Sequence, residues 1–254
     1  MRRYLVALTA LTAVIAMTAV HVYAQRNSNR DVAMKHYRSG LKSLRTEAWP
    51  EAAKFFKLAI ETDGEFEMAY YGLGRASMPQ KKYADAVAAY SKCWDLYLAQ
   101  VGRQFTNQQE AQRSRQDRIT ELDDAIRSYQ QGPQTAQAGE YLRQLQERKR
   151  QLQMNLQRGA NLSIDATVPA FVSLALGSAY FRLQQLADAE REYKRAIEVD
   201  AKIGEAYSNL AVVYMETGRF QEAEATVKAA EKTGFKVNPM LKSDIAARKK
   251  AGSN

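Results

Sequence analysis

Cysteine and histidine are nearly absent: the 254 residues include one Cys and two His. A disulfide framework within the chain is therefore excluded, and a zinc or iron–sulfur site has too few ligands to choose from. Proline and glycine are also scarce, at 5 and 13 residues, which leaves little material for the tight turns of an all-β protein. Phosphate loops, paired metal-ligand histidines, nucleophile elbows and CxxC pairs are all missing. Gly72-Leu73-Gly74 is a fragment of a dinucleotide fingerprint, but Ser77 stands where the third glycine belongs and no strand precedes it. No pair of carboxylates is framed by other active-site features. The expectation is a protein that is not an enzyme, with no cofactor and no metal. Hydrophobic residues at 46% and charged residues at 26% are enough for one large or two small helical domains.

The N-terminus carries an export pattern. Arg2 and Arg3 form a positive n-region, Leu5 to Val20 is an uncharged apolar run, and His21-Val22-Tyr23-Ala24 ends in a small residue. This spacing predicts a signal peptide over 1–24 cleaved after Ala24, followed by a polar leader over 25–32. An uncleaved membrane anchor is the alternative, and both place the remainder on the far side of the membrane. No cysteine lies near the cleavage point to accept lipid. The expected location is periplasmic or secreted in a bacterium, with membrane contact only through the N-terminal segment.

Small residues recur in a fixed frame. Gly40, Ala52 and Ala59 share their spacing with Gly74, Ala86 and Cys93, with Gly177, Ala189 and Ala196, and with Ala211, Ala223 and Ala230. Gly40 to Gly74 and Gly177 to Ala211 each span 34 residues, the period of a helix–turn–helix repeat. Larger residues keep the same frame at Trp49, Tyr83, Leu186 and Phe220, and at Phe56, Tyr90, Tyr193 and Val227. The chain thus resembles the tetratricopeptide repeat (TPR) family, with repeats 1–2 over 33–100 and repeats 3–4 over 170–237. The usual proline near the end of the second helix is missing; Gly64, Leu98, Ala201 and Phe235 stand there. Asn238-Pro239 starts a capping helix, with its tail, over 238–254. Cys93 falls on a small buried position and is expected to be inert.

The frame breaks over 101–169. Gln108, Thr120, Arg127, Leu142, Met154 and Asn161 occupy its small positions, so no hidden repeat fits. The segment is rich in Gln and Arg and is divided by Gln131-Gly132-Pro133-Gln134, which predicts a helical hairpin over 104–159. Ile119, Leu122, Ile126 and Tyr129 form one thin apolar stripe; Ala138, Leu142, Leu145, Leu152 and Leu156 form another. Such helices must pair with each other in coiled-coil fashion or with a partner. Asn161 to Val168 is a linker. The fold class expected is all-α: a tetratricopeptide-type solenoid interrupted by a long helical hairpin.

The resemblance implies that the first helix of each repeat lines a concave groove open to a peptide. The matching candidates are Tyr37 and Leu41 in repeat 1, Tyr71 and Arg75 in repeat 2, Phe171, Leu174, Ser178 and Phe181 in repeat 3, and Ser208 and Val212 in repeat 4. Met34, Leu44, Met68, Met78, Glu205 and Met215 share those faces. This mostly apolar set suits a peptide with hydrophobic anchors. The Lys and Asn pattern by which some family members clamp a C-terminal carboxylate is missing. The net charge of +9 gathers in 25–58 and 228–254, while 59–227 is slightly acidic. An exported chain meets anionic envelope surfaces or acidic proteins rather than nucleic acid. The function expected is an exported protein-interaction scaffold or adaptor with a protein or peptide partner in the groove; the alternative is a structural subunit that forms homo-oligomers through the hairpin.

Overall fold

The computed structural model describes residues 29–101, 104–105, 107–132, 136–158 and 167–251, with the side chains of 136, 137 and 140 left aside. The expected signal peptide, residues 25–28, Pro133-Gln134 of the hairpin turn, the Asn161-Leu162-Ser163 glycosylation-like triplet and most of the linker lie outside the described residues.

Every regular element among the described residues is helical. The first helix, α1, covers 29–45. It is followed by α2 (Trp49–Thr62), α3 (Glu67–Ser77), α4 (Tyr83–Leu98), α5 (Gln108–Gln130), α6 (Ala136–Arg158), α7 (Ala170–Arg182), α8 (Leu186–Val199), α9 (Gly204–Glu216), α10 (Phe220–Lys232) and α11 (Pro239–Ala251). The pairs α1–α2, α3–α4, α7–α8 and α9–α10 fall in the four 34-residue frames. Helix α1 is already formed at Asn29, ahead of the frame, because Arg30 is tied to Asp63 at 2.6 Å and stacks over Phe66 at 4.5 Å.

The small positions are where the paired helices touch. A Cβ placed on Gly40 would lie 2.7 Å from Phe56, on Gly74 2.5 Å from Tyr90, and on Gly177 2.8 Å from Tyr193. Each ring comes from the second helix of the same repeat, so any side chain at the glycine would push the pair apart. Phe56 also fills the space over Gly72 of the next repeat. The alanines and Cys93 of the frame are fully buried, and burial pushes the Cys93 thiol pKa well up, consistent with an unreactive packed residue.

The turns repeat as faithfully as the helices. Glu47, Lys81 and Gln184, with φ of 56°, 59° and 59°, and Gly218, with φ of 74°, occupy the same frame position. Each begins a left-handed helix exit in which the next residue's N–H reaches back over the last turn: Ala48 to Ser43, Lys82 to Ser77, Gln185 to Tyr180 and Arg219 to Tyr214. At the far end of repeats 1 and 3, Asp63 and Asp200 accept from the N–H of Glu65 and Lys202, both at 3.0 Å, and so turn the chain into the next repeat. Repeat 2 has Tyr97 at that position and lacks the carboxylate. Helix α4 therefore runs on to Leu98 and the chain departs into the hairpin.

The excursion does not break the array. Helix α4 packs directly on α7, as α2 packs on α3 and α8 on α9. Arg195 of α8 lies over the Trp94 ring of α4 at 5.3 Å. Helices α5 and α6 form an antiparallel hairpin: Tyr129 meets Tyr141 at 4.4 Å, and Asp123 pairs with Lys149 at 2.5 Å. The cap α11 lies on α10 and buries Leu241 and Ile245. No helix among the described residues is long and apolar enough to cross a membrane.

Candidate protein-binding groove

The first helices α1, α3, α7 and α9 line the groove, and the protein's own hairpin lies along the earlier part of it. Tyr141 of α6 stacks on Tyr71 of α3 at 5.5 Å with the rings 12° apart, and meets Phe171 of α7 edge-on at 5.0 Å. Tyr71 and Phe171 are themselves 4.9 Å apart. Leu41 of α1 accepts a hydrogen bond at its carbonyl from Ser128 Oγ at 3.4 Å. Tyr37, Leu41, Tyr71 and Phe171 are each below a tenth exposed. The stripe residues Ile119, Leu122, Ile126, Leu145 and Leu152 are buried in one core with them. The thin stripes thus have two covers, each other and the groove, whereas the sequence pattern offered either pairing within the hairpin or pairing with a partner.

Charges complete the seam. Arg38 of α1 pairs with Asp124 at 2.6 Å, and Arg30 with Glu121 at 3.1 Å. Arg118 of α5 donates to Glu67 of α3 at 2.5 Å, beneath which Gln100 donates to the same carboxylate. The two buried acids diverge. Burial pushes Glu67 up, but the charges of Arg118 and Arg30 and the hydrogen bond from Arg118 outweigh it and hold the carboxyl below its ordinary value of 4.5. Burial dominates at Glu121, also helped by the nearby Glu67 charge, and raises its carboxyl despite Arg30 and Arg118. One acid in this seam is therefore stabilised as an anion while its neighbour favours its proton. Farther along, Arg143 of α6 reaches Asp200, at the end of repeat 3, at 2.7 Å.

The remaining candidates fall beyond the hairpin or at its tip. Arg75 of α3 lies over Tyr129 at 4.4 Å and within 5.9 Å of Tyr141. Leu174 and Ser178 of α7 line a cavity of about 360 Å³ together with Trp49, Arg75, Tyr129, Tyr141, Phe171 and Glu205. Phe181 of α7 and Ser208 and Val212 of α9 are partly exposed. The structure thus divides the ten candidates into a covered set (Tyr37, Leu41, Tyr71, Phe171), of which Tyr71 and Phe171 also border the cavity, a set found only at the cavity (Arg75, Leu174, Ser178) and an open set (Phe181, Ser208, Val212). The hairpin's own groove residues, Glu121, Asp124 and Tyr141, were not among the candidates. The signal available for them was the excess of Asp and Glu on one side of α5 opposite Arg30 and Arg38. Among the described residues no group of three His, Cys, Asp or Glu is placed to hold a metal.

Residues 174–234, which span most of α7 through α10, match the tetratricopeptide repeat family model. The chain thus contains tetratricopeptide repeats. No curated protein sequence matches it. Among solved structures it is similar to a thermophilic TPR protein of Thermus thermophilus, with 19% identity over 85% of this chain and 98% of that one and a TM-score of 0.35. It is also similar to YrrB, described as a TPR protein with an unusual peptide-binding site (16% identity, 85% and 92% covered, TM-score 0.28), and to PilW, a type IV pilus biogenesis factor (14%, 88% and 85%, 0.37). All three are distant, and none bears on what this TPR chain binds.

Proposed function

We propose that this TPR chain is an exported, non-catalytic protein-binding scaffold whose groove takes a polypeptide segment along α7 and α9, beside its own hairpin. The observation that carries this reading is the hairpin itself. The groove already holds two helices through stacked tyrosines, buried leucine and isoleucine, and arginine–carboxylate pairs, so its surface has the chemistry to hold protein. Phe181, Ser208 and Val212 continue that surface past the hairpin and are partly exposed. A photo-crosslinking residue at Ser208 or Val212 is expected to trap a partner in the producing cell, whereas one at exposed Lys57 of α2 is not. Equal trapping at Lys57 would remove the groove from this account.

The export part of the proposal rests on Arg2, Arg3 and the Leu5 to Val20 run. N-terminal sequencing of the extracytoplasmic protein is expected to start at Gln25; an intact Met1 in membranes would indicate an anchor, and cytoplasmic recovery would exclude both. The rival reading, assembly through the hairpin, was motivated by the stripes. Burial of Ile119, Leu122, Ile126, Leu145 and Leu152 within one chain favours the scaffold. Sedimentation as a concentration-independent dimer would favour assembly.

A further inference from the structure

Away from the groove, the second helices carry a contrast between the two halves that the repeat frame exposes. Lys54 and Lys57 of α2 and Lys82, the residue before α4, occupy the frame positions of Arg191 and Lys194 of α8 and Arg219, the residue before α10. In the later half these cations are neutralised from within. Glu190 accepts from Lys194 at 2.7 Å and from both terminal nitrogens of Arg219, and Arg191 pairs with Asp188 at 2.6 Å and Glu192 at 3.2 Å. In the earlier half Ala53 and Phe55 stand in the places of Glu190 and Glu192. Lys54, Lys57 and Lys82 are exposed, and among the described residues none of them makes a hydrogen bond or ion pair. Together with Ala53, Glu61 and Gln80 they line a cleft of about 350 Å³.

We propose that this cleft between α2 and the start of α4 binds a phosphate group, seated where the Glu190 carboxylate sits in the later half. The later half shows that this arrangement of cations holds an anion, and Ala53 leaves the anion's place open in the earlier one. The kind of cation decides the kind of anion. Arg219 grips the planar Glu190 carboxylate with a fork of two N–H donors. Lys82 and Lys54 replace the forks of Arg219 and Arg191 by point charges with rotatable donors, which suit the tetrahedral oxygens of a phosphate. Three ammonium charges against the one carboxylate of Glu61 leave two positive charges, the match for a phosphate monoester that is mostly a dianion at neutral pH. The phosphate can belong to a soluble monoester or to a lipid headgroup. Because the cleft is built by second helices, this site is additional to the scaffold reading and does not depend on it.

The test titrates the full chain by calorimetry, in phosphate-free buffer, with inorganic phosphate, glycerol 3-phosphate and acetate. A soluble phosphate is expected to bind with a Kd on the order of 1 mM, at least about ten-fold more tightly than acetate. Flotation with phosphatidylcholine vesicles containing phosphatidic acid reads the lipid source, as the difference between the parent and Ala53→Glu, which share the apolar Leu5 to Val20 run. Ala53→Glu restores the missing carboxylate, so it is expected to weaken phosphate binding at least about ten-fold while Tm holds or rises, a loss that no folding defect imitates. The pair Lys57→Gln and Lys82→Gln, both at exposed positions, is expected to lose binding to the same extent and serves if Ala53→Glu does not fold. Binding of a soluble phosphate, or of the vesicles alone, supports the proposal and identifies the source. Acetate bound as tightly as phosphate, no phosphate bound in either form, or unchanged binding by a folded Ala53→Glu or double-lysine variant would each overturn it. Crosslinks from Ser208 are independent of all these outcomes, so the scaffold stands or falls separately.

Discussion

The first two repeats and the last two share one frame and differ in what covers their inner faces. In repeats 1 and 2 the hairpin lies on α1 and α3, and a single core runs from Ala33 through Leu145 and Leu152 into the first helix of repeat 3, as far as Ala179. In repeats 3 and 4 a separate core holds Tyr193, Leu210, Tyr214 and Val227 together with Leu241 and Ile245 of the cap, and part of the inner face stays exposed. The same supersecondary unit has thus been finished in two ways: by an inserted ligand-like hairpin and by a short terminal helix. A solenoid needs its ends covered; its inner face needs cover only when the residues there are too apolar to face water. Met34, Tyr37 and Tyr71 are of that kind, and Glu205 and Ser208 at matching positions are not.

Removing the hairpin should make this difference largest. With 102–166 replaced by a short linker joining α4 to α7, Tyr37, Leu41, Tyr71 and Phe171 lose their cover. Repeats 1 and 2 are expected to melt separately from, and well below, repeats 3 and 4. Calorimetry should show two transitions where the parent shows one dominant transition; a single unchanged transition would mean that the hairpin is only an ornament. Next in size are the arginines. Arg118→Ala strands the buried Glu67 and is expected to cost about 3–5 kcal/mol, while Arg219→Ala, which loosens the more exposed Arg219–Glu190 pair of the other half, costs about 1 kcal/mol or less. Chemical denaturation of the two variants reads both, and equal losses would erase the contrast between the halves.

The seam acids sharpen the comparison through pH. Glu67, with its pKa lowered, contributes stability above its unfolded value that is lost as pH falls through its lower folded value. Glu121, with its pKa raised, does the reverse: its contribution is present below the unfolded value and disappears as pH rises through the folded one. Glu121→Gln imitates the protonated form, so it is expected to raise Tm at neutral pH, with the advantage shrinking as pH falls toward 4.5 and below. A gap that widens on acidification would invert the assignment. The smallest expected effect lies in the turns. Lys81→Gly and Gln184→Gly, at positions with φ of 59°, relieve left-handed strain and should each stabilise by about 0.5–1 kcal/mol, with Gly218→Ala losing a similar amount. Equal shifts in the two halves would show that the turns, unlike the inner faces, are independent of the hairpin.

The helices and their pairing were legible because small and aromatic residues hold a 34-residue frame that only close-packed helices require. The left-handed turn was invisible in three repeats, since Glu47, Lys81 and Gln184 are not the glycine that usually marks it. The candidate groove was legible as a set of faces but not as an occupied surface. Periodicity shows that Ile119, Leu122 and Ile126 need cover; it cannot show that Tyr37 and Leu41, some eighty residues earlier, supply it. The seam pairs join residues such as Arg30 and Glu121, 91 apart in the chain, and sequence spacing carries no trace of contacts at that range.

That separation sets the order in which the molecule can be completed. In the last two repeats every helix packs on a neighbour in sequence, so each can settle as soon as the next has formed. The first two repeats are made earliest and finished late: Leu41 waits for Ser128, and Tyr71 waits for Tyr141 and then Phe171. Contacts closed over such distances slow folding, and until they close the oldest part of the chain shows the stickiest surface of the protein. A nascent chain therefore carries its greatest hazard of association in its first two repeats, and that hazard ends only when roughly half the protein has followed.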